Sequence, residues 1–143
     1  MILRHSAGNA GAPFLARGNH DRHDPGAFKT LQPTTYRVPE ALIELNQGER
    51  YAGIVLSDDG SPSHHLILLP GEIETATWAN AKAWAAEQGG ELPTRREQSL
   101  LFANQKGQFA SRYYWSGEQY SASYAWGQDF DDGYQDFDGK DYE

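Results

Sequence analysis

The sequence predicts an α+β domain in which two helices pack on small antiparallel sheets, preceded by an irregular N-terminal arm. Three observations predict it. Short apolar runs containing β-branched residues flank a turn-rich loop at 57–63. Two helical segments with clear start signals follow at 77–88 and 94–107. Strand-length runs of Tyr, Trp and Phe then close the chain from Tyr113 onward. Strands, then helices, then strands is the order of segregated helices on antiparallel sheets, not of alternating parallel units.

Residues 1–38 are dominated by Gly, Ala, Pro, His, Asn and Arg, with apolar residues scattered without period. This segment is expected to be a flexible or partner-ordered arm, and the compact domain to span 39–143. Tyr51–Leu56 and His65–Leu69 read as an antiparallel hairpin around Ser57-Asp-Asp-Gly-Ser-Pro-Ser63, ended by Pro70-Gly71. His64 and His65 are consecutive at a strand start, so their rings point to opposite faces and do not chelate together.

Thr77 is a candidate N-cap for a helix over Trp78–Gln88, with Gly89-Gly90 as its stop. Trp78, Ala81 and Ala85 share one face, Trp84 lies beside them, and the alanines allow close approach to a sheet. Thr94-Arg-Arg-Glu97 is a capping box behind Pro93, and Leu100, Leu101 and Phe102 give the second helix its apolar side. Tyr113–Ser116, Tyr124–Phe130 and Tyr134–Phe137 read as strands, with Asp131-Asp-Gly133 as a turn. Period-two alternation puts Tyr124, Trp126, Gln128 and Phe130 on one face and Ala125, Gly127 and Asp129 on the other. The first face is expected to pack on the core and the second to meet solvent. The expected structural core comprises Trp78, Trp84, Leu100, Leu101, Trp115 and Trp126.

Composition narrows the function classes. The formal net charge is -8 over 143 residues. Residues 113–143 hold one base, Lys140, and eight acids, against 11 bases and 12 acids in residues 1–112, so the negative charge is terminal. Such a surface repels phosphate backbones, and no nucleic-acid partner is expected. There is no Cys, which excludes disulfides, thiolate catalysis and Cys-ligated zinc. No run approaches the ~20 apolar residues of a membrane span, and the N-terminus lacks a signal-type apolar stretch. A soluble protein without membrane insertion is expected, cytoplasmic at synthesis and in one setting virion-associated.

Catalytic motifs are sparse. Gly18-Asn-His-Asp21 spells a metallophosphoesterase ligand motif, but its companion blocks are missing. His20, Asp21, His23 and Asp24 are therefore read as a weak metal-binding stretch at most. Asp129, Asp131, Asp132, Asp136, Asp138 and Asp141 offer the oxygens a calcium ion takes, but Gly133 and Gly139 fall at the wrong offset for an EF-hand. A solvated acidic face is the expected reading. There is no Gly-x-Ser-x-Gly elbow and no phosphate loop. No enzyme activity, cofactor or resident metal is expected.

The terminal stretch has a positive reading. It lacks Val, Ile, Leu and Met but is rich in Tyr, Trp, Phe, Ser, Gly and Asp. Rigid rings beside small polar residues are the composition of recognition surfaces. The expected ligand-binding residues are Tyr120, Ser121, Ser123, Asp129, Asp131, Asp132, Asp136, Phe137 and Asp138. Tyr120 and Phe137 would anchor apolar groups, and the acids would steer a basic partner.

Several spaced motifs carry a family likeness. They are Thr77-Trp78 with Ala81 and Ala83-Trp84, Gly90-Glu-Leu-Pro-Thr-Arg-Arg-Glu97 leading into Leu100-Leu101, Tyr114-Trp-Ser116, Tyr124-Ala-Trp126 and Gly133-Tyr134. From about Gly48 onward the chain resembles the Lcl C-terminal-like family of bacterial and phage proteins, a domain of largely unknown function. The resemblance implies a C-type-lectin-like fold with its ligand face on the last strands and loops. Relatives occur in phage tail or receptor-binding contexts, in adhesins and among variable proteins of diversity-generating retroelements. The chain departs from calcium-dependent lectins in lacking Glu-Pro-Asn, Gln-Pro-Asp and Trp-Asn-Asp triplets, so calcium-mediated sugar binding is not implied. It also stops at Glu143, before the closing basic strand usual in relatives, so that strand is expected to be missing or supplied differently. The related formylglycine-generating enzymes need an active-site Cys, which this chain lacks.

These readings point first to a non-catalytic domain that binds a protein or glycan, basic ligands among them, on an aromatic and acidic C-terminal surface, phage-derived or surface-associated. The alternative is a structural virion or assembly module, docking through its arm onto virion subunits or a homo-oligomer. The weakest is a metal-dependent phosphoesterase using residues 18–24.

Overall fold

The computed structural model describes residues 1–7, 41–58 and 63–143. One compact unit comprises residues 1–7 and 44–143; of the other, 8–43, only 41–43 are described. His20, Asp21, His23 and Asp24 thus lie outside the described residues.

The first unit is α+β. Its elements are β1 (Leu3–Ser6), β2 (Arg50–Val55), β3 (His64–Leu68), α1 (Trp78–Glu87), α2 (Arg95–Gln105), a 3-10 turn (Lys106–Gln108), β4 (Tyr113–Gln119), β5 (Tyr124–Asp129) and β6 (Gln135–Gly139). They build two antiparallel three-stranded sheets, ordered β1-β3-β2 and β4-β5-β6. The predicted hairpin, both helices and the three terminal strands are all present.

The N-terminal expectation needs correction. Residues 1–7 are not arm but sheet: Leu3 pairs with Leu68 and His5 with Leu66. Met1, Ile2 and Leu3 are buried, and Leu3 exchanges backbone hydrogen bonds with Glu91 at 2.9 and 3.0 Å. The Arg4 guanidinium donates to both Glu49 oxygens, at 3.0 and 2.7 Å, which pins β1 to the approach to β2. A run of three apolar residues is too short to show a period, but a central strand with bare edges supplies the partner. Flanked on both sides, β3 buries His65, Leu66, Ile67 and Leu68 in succession.

Both predicted caps form. The Thr77 hydroxyl accepts from the Asn80 amide at 3.3 Å, and Ala81 and Ala85 are the buried face of α1. Thr94 and Glu97 make the reciprocal capping box, with Glu97 N donating to Thr94 Oγ1 at 3.2 Å and Thr94 N donating to Glu97 Oε2 at 3.3 Å. At the far end of α2, Asn104 and Gln105 donate to the carbonyls of Ala52 and Tyr51 at 2.6 and 2.9 Å. Those carbonyls flank a register shift between Tyr51 and Gly53, where Gly53 adopts φ +132°. Few L side chains tolerate that conformation, so glycine shapes the bulge that α2 covers.

The main core joins Met1, Leu3, Ala52, Leu66, Leu68, Leu101, Tyr114 and Phe130, with Leu100, Phe102 and Phe109 packed against it. Phe130 is its aromatic hub, with ring centroids 4.4 Å from Phe109, 5.2 Å from Tyr114 and 5.8 Å from Phe102. Of the expected core residues, Leu101 is fully buried and Leu100 partly so. Trp78, Trp84, Trp115 and Trp126 are only half-buried. The physical reason at two of them is the indole N–H, which seeks an acceptor near the surface. Trp78 donates to the Ser116 carbonyl at 2.8 Å and Trp115 to the Ala76 carbonyl at 3.0 Å.

Candidate functional site

The sheet β4-β5-β6 has no bare face. Trp126 stands opposite Phe137 and Gln128 opposite both Tyr114 and Gln135. Alternation then places Tyr114, Gln128, Gln135, Trp126, Phe137 and Tyr124 on one face. Along that face burial falls steadily. Tyr114 and Gln128 are buried, Trp126 is half-buried, and Phe137 and Tyr124 are exposed. The rings at the open end run past the core.

Those rings form a single cluster. Tyr120, from the β4–β5 turn, stacks on Phe137 with centroids 3.9 Å apart and planes 5° apart. Trp126 meets both edge-on, at 5.3 Å to Tyr120 and 5.5 Å to Phe137, and Tyr124 meets Phe137 edge-on at 5.7 Å. The Arg95 guanidinium carbon lies 3.6 Å from the Trp126 ring centroid. Arg95 is itself held: its Nε donates to Gln135 Oε1 at 3.3 Å, its carbonyl accepts from Gln135 Nε2 at 2.7 Å, and its backbone N–H donates to Glu118. Tyr120 is 51% exposed, Tyr124 44% and Phe137 38%, so fixed rings are displayed to solvent.

The opposite face departs from the sequence expectation. Ala125 and Gly127 are buried, not solvated. A Cβ built on Gly127 would come within 2.4 Å of the Tyr113 ring, so the ring lies directly on the glycine. The Tyr113 hydroxyl donates to the Asp136 carbonyl at 2.9 Å. Burial, and then the charges of Asp138 and Asp136, push its phenol above the ordinary tyrosine range. Asp136 pairs with Gly127 and Asp138 with Ala125, which puts both acids on the Tyr113 face, opposite to that of Phe137.

The nine predicted ligand residues therefore divide. Tyr120 and Phe137 belong to the ring cluster. Asp131, Asp132, Asp136 and Asp138 are exposed and Asp129 is half-buried, but the carboxylates of all except Asp131 first serve the chain. Oδ1 of Asp129 accepts from the Asp131 amide, that of Asp132 from Tyr134, that of Asp136 from Phe137 and that of Asp138 from Gly139, all within 2.9 Å. The Ser121 hydroxyl accepts the amides of Ser123 and Tyr124 and shapes the turn rather than facing outward. Ser123 is exposed, and its carbonyl accepts from Lys140 N at 2.9 Å. A single mixed surface of rings and acids is thus split into a ring cluster on one face and acids on the turn and the other face.

Sequence reasoning missed Tyr124, Trp126 and Arg95 as parts of this site. The signal is available for Tyr124 and Trp126, which alternation puts on one face of β5; Arg95 announces itself only as part of a helix cap. It also missed a second group. Among the described residues, His5, His64 and Glu97 are the one set of three metal-capable side chains, each offering a ligand atom within 4.8 Å of the others. They come from β1, β3 and α2, so no local spacing announces them. As expected, His64 and His65 diverge: His65 Nδ1 contacts the Tyr51 hydroxyl at 2.9 Å, while His64 faces Glu97.

Comparison with family models, with curated proteins and with solved structures finds no match to this chain.

Proposed function

We propose that this chain is a non-catalytic recognition module of C-type-lectin-like architecture that binds a protein through Tyr120, Tyr124, Trp126 and Phe137. The observation that carries the reading is the exposed, mutually stacked ring cluster at the open end of β4-β5-β6, braced by Arg95. Tyr, Trp and Arg are the residues that dominate protein hot spots, and prior stacking removes the entropy cost of fixing them on binding. A protein is favoured over a glycan because Tyr120 and Phe137 already cover a face of each other's ring and Arg95 covers one of Trp126. The edges and grooves that remain suit branched apolar side chains better than the flat C–H face of a sugar. The net charge of residues 113–143, one base against eight acids, favours the approach of a basic partner, acting on association rate more than on affinity.

The test is selection of a random peptide library on the full chain, with counter-selection on the Tyr120→Ser/Phe137→Ser variant. The proposal expects peptides that share an apolar anchor beside basic residues and that bind the variant at least ~10-fold more weakly, as loss of an anchor of about 1.4 kcal/mol or more requires. Peptides that bind both proteins equally would contradict it. Binding on a glycan array that is lost in the same variant would reassign the ligand to sugars.

A further inference from the structure

We propose that His5, His64 and Glu97 form a binding site for one divalent transition-metal ion of the zinc class, clipping β1 and β3 to the first turn of α2. His5 Nε2 lies 3.1 Å from Glu97 Oε1, and His64 Nε2 lies 3.4 Å from the same oxygen. In a tetrahedral site with metal–ligand distances near 2.0–2.1 Å, ligand atoms sit roughly 3.3 Å apart. Two edges of the triangle already have that length, and the third is no longer than 4.8 Å.

Hydrogen-bond accounting points the same way. Both ring nitrogens of His5 face carboxylates: Nδ1 lies 2.9 Å from Glu91 Oε1 and Nε2 3.1 Å from Glu97 Oε1. A neutral imidazole has one N–H, so one of these contacts sets acceptor against acceptor unless a cation intervenes. A second proton on His5 would satisfy that ring alone. It would leave His64 Nε2, which is shut off from solvent and has no hydrogen-bond partner among the described residues. Its 3.4 Å approach to Glu97 is close enough for an ion pair but is not a hydrogen bond. A metal ion held by the two Nε2 atoms and Glu97 Oε1 satisfies all three groups at once.

The surroundings supply what ligands of such an ion require. With Nε2 on the metal, His5 Nδ1–H donates to Glu91, the carboxylate partner that fixes a ligating histidine's tautomer and orientation. Glu97 Oε2 accepts from the Thr94 amide at 3.3 Å, so the capping box aims Oε1 at the two rings. The Glu97 side chain is 5% exposed, whereas His5 and His64 are 35% and 34% exposed. The anionic ligand is thus buried, and both histidine rings are partly exposed although His64 Nε2 itself is shut off from solvent. His5 and Glu97 also line a cleft of about 440 Å³ with Lys82, Glu91 and Glu118, so two of the three ligands border open space. The site is independent of the ring cluster, and neither reading depends on the other.

The experiment titrates ZnCl2 into the full chain after EDTA treatment and dialysis, by calorimetry, and repeats the titration with CoCl2 by visible absorption. One saturable ion per chain and the intense visible bands of tetrahedral Co2+ are expected. His5→Ala/His64→Ala should weaken binding at least ~100-fold, Glu91→Gln roughly 10-fold, and His20→Ala/His23→Ala not at all. His64→Gln, which keeps a polar side chain on β3, serves where the double variant fails to fold, and should abolish the Co2+ bands. No saturable Zn2+ binding by the wild-type chain would overturn the proposal. So would unchanged binding in the His5/His64 variants, or loss of binding in His20→Ala/His23→Ala.

Discussion

The two sheets solve one problem with different side chains. In β1-β3-β2 the buried groups other than His65 are aliphatic: Leu3, Ala52, Leu66, Ile67 and Leu68. In β4-β5-β6 there is no Val, Ile, Leu or Met, and Tyr, Trp and Phe fill both faces. An aliphatic side chain gains only by leaving water, so the first sheet is buried along its central strand. An aromatic one gains from stacking and carries a polar handle, as the hydroxyl of Tyr113 and the indole nitrogens of Trp78 and Trp115 show. A sheet faced with rings can therefore extend beyond the core and remain ordered. The lesson is that the second sheet has a stabilising end at Phe130 and a displaying end at Phe137.

Substitutions sharpen that contrast. Leu66→Ala should cost about 3–4 kcal/mol in urea unfolding, since a fully buried side chain is lost from the central strand. Gly127→Ala should cost about 2 kcal/mol by forcing Tyr113 off the backbone. In a Tyr113→Ser background the same change should become nearly neutral, and a persistent cost would show that the ring is not what lies there.

The clamp on the aliphatic sheet should show itself through pH. The hydrogen bonds from Arg4, with Asn46 adding its amide and side chain, hold Glu49 down at about 2 against an ordinary value of 4.5. Its pKa is lower folded than unfolded, so its contribution is complete above about 4.5 and is lost as pH falls toward 2. Glu49→Gln should therefore remove on the order of 1–2 kcal/mol at neutral pH and flatten the acid limb of the stability profile. A variant that lost stability in parallel with wild type down to about pH 2 would show that Glu49 is not the group responsible. At the small end, Thr94→Ala should cost about 1 kcal/mol through the capping box, measured by the same unfolding curve.

Much of this architecture is legible in the sequence. Thr77, Thr94 and Glu97 announce both helices because capping is local chemistry, readable within four residues. The hairpin and the Asp131–Gly133 turn are local in the same sense. What escaped was non-local. Met1–Ser6 has no helical or strand period and becomes a strand only because β3 offers an edge. The four tryptophans read as core because they are large and apolar, yet the N–H groups of Trp78 and Trp115 and the cations over Trp78 and Trp126 hold three of them at the boundary. In the candidate site, alternation placed the β5 residues on the right faces, but not which end of a face lies over the core. Alternation along β6 also sets Asp136 and Asp138 opposite to Phe137, but only the pairing of β6 with β5 shows that they share a face with Gly127 and Ala125. His5, His64 and Glu97 meet across three elements, and only the tertiary fold joins them.

The central claim is that the open end of the aromatic sheet exists for recognition. Its most direct test is the affinity of a library-selected peptide for Tyr124→Ser, a substitution at a 44% exposed ring that leaves the Tyr120–Phe137 stack in place. The account predicts binding at least ~10-fold weaker with a thermal midpoint within a few degrees of wild type, as expected for a change of under about 1 kcal/mol in stability. Unchanged affinity, or a collapse of stability in step with the loss of binding, would contradict it.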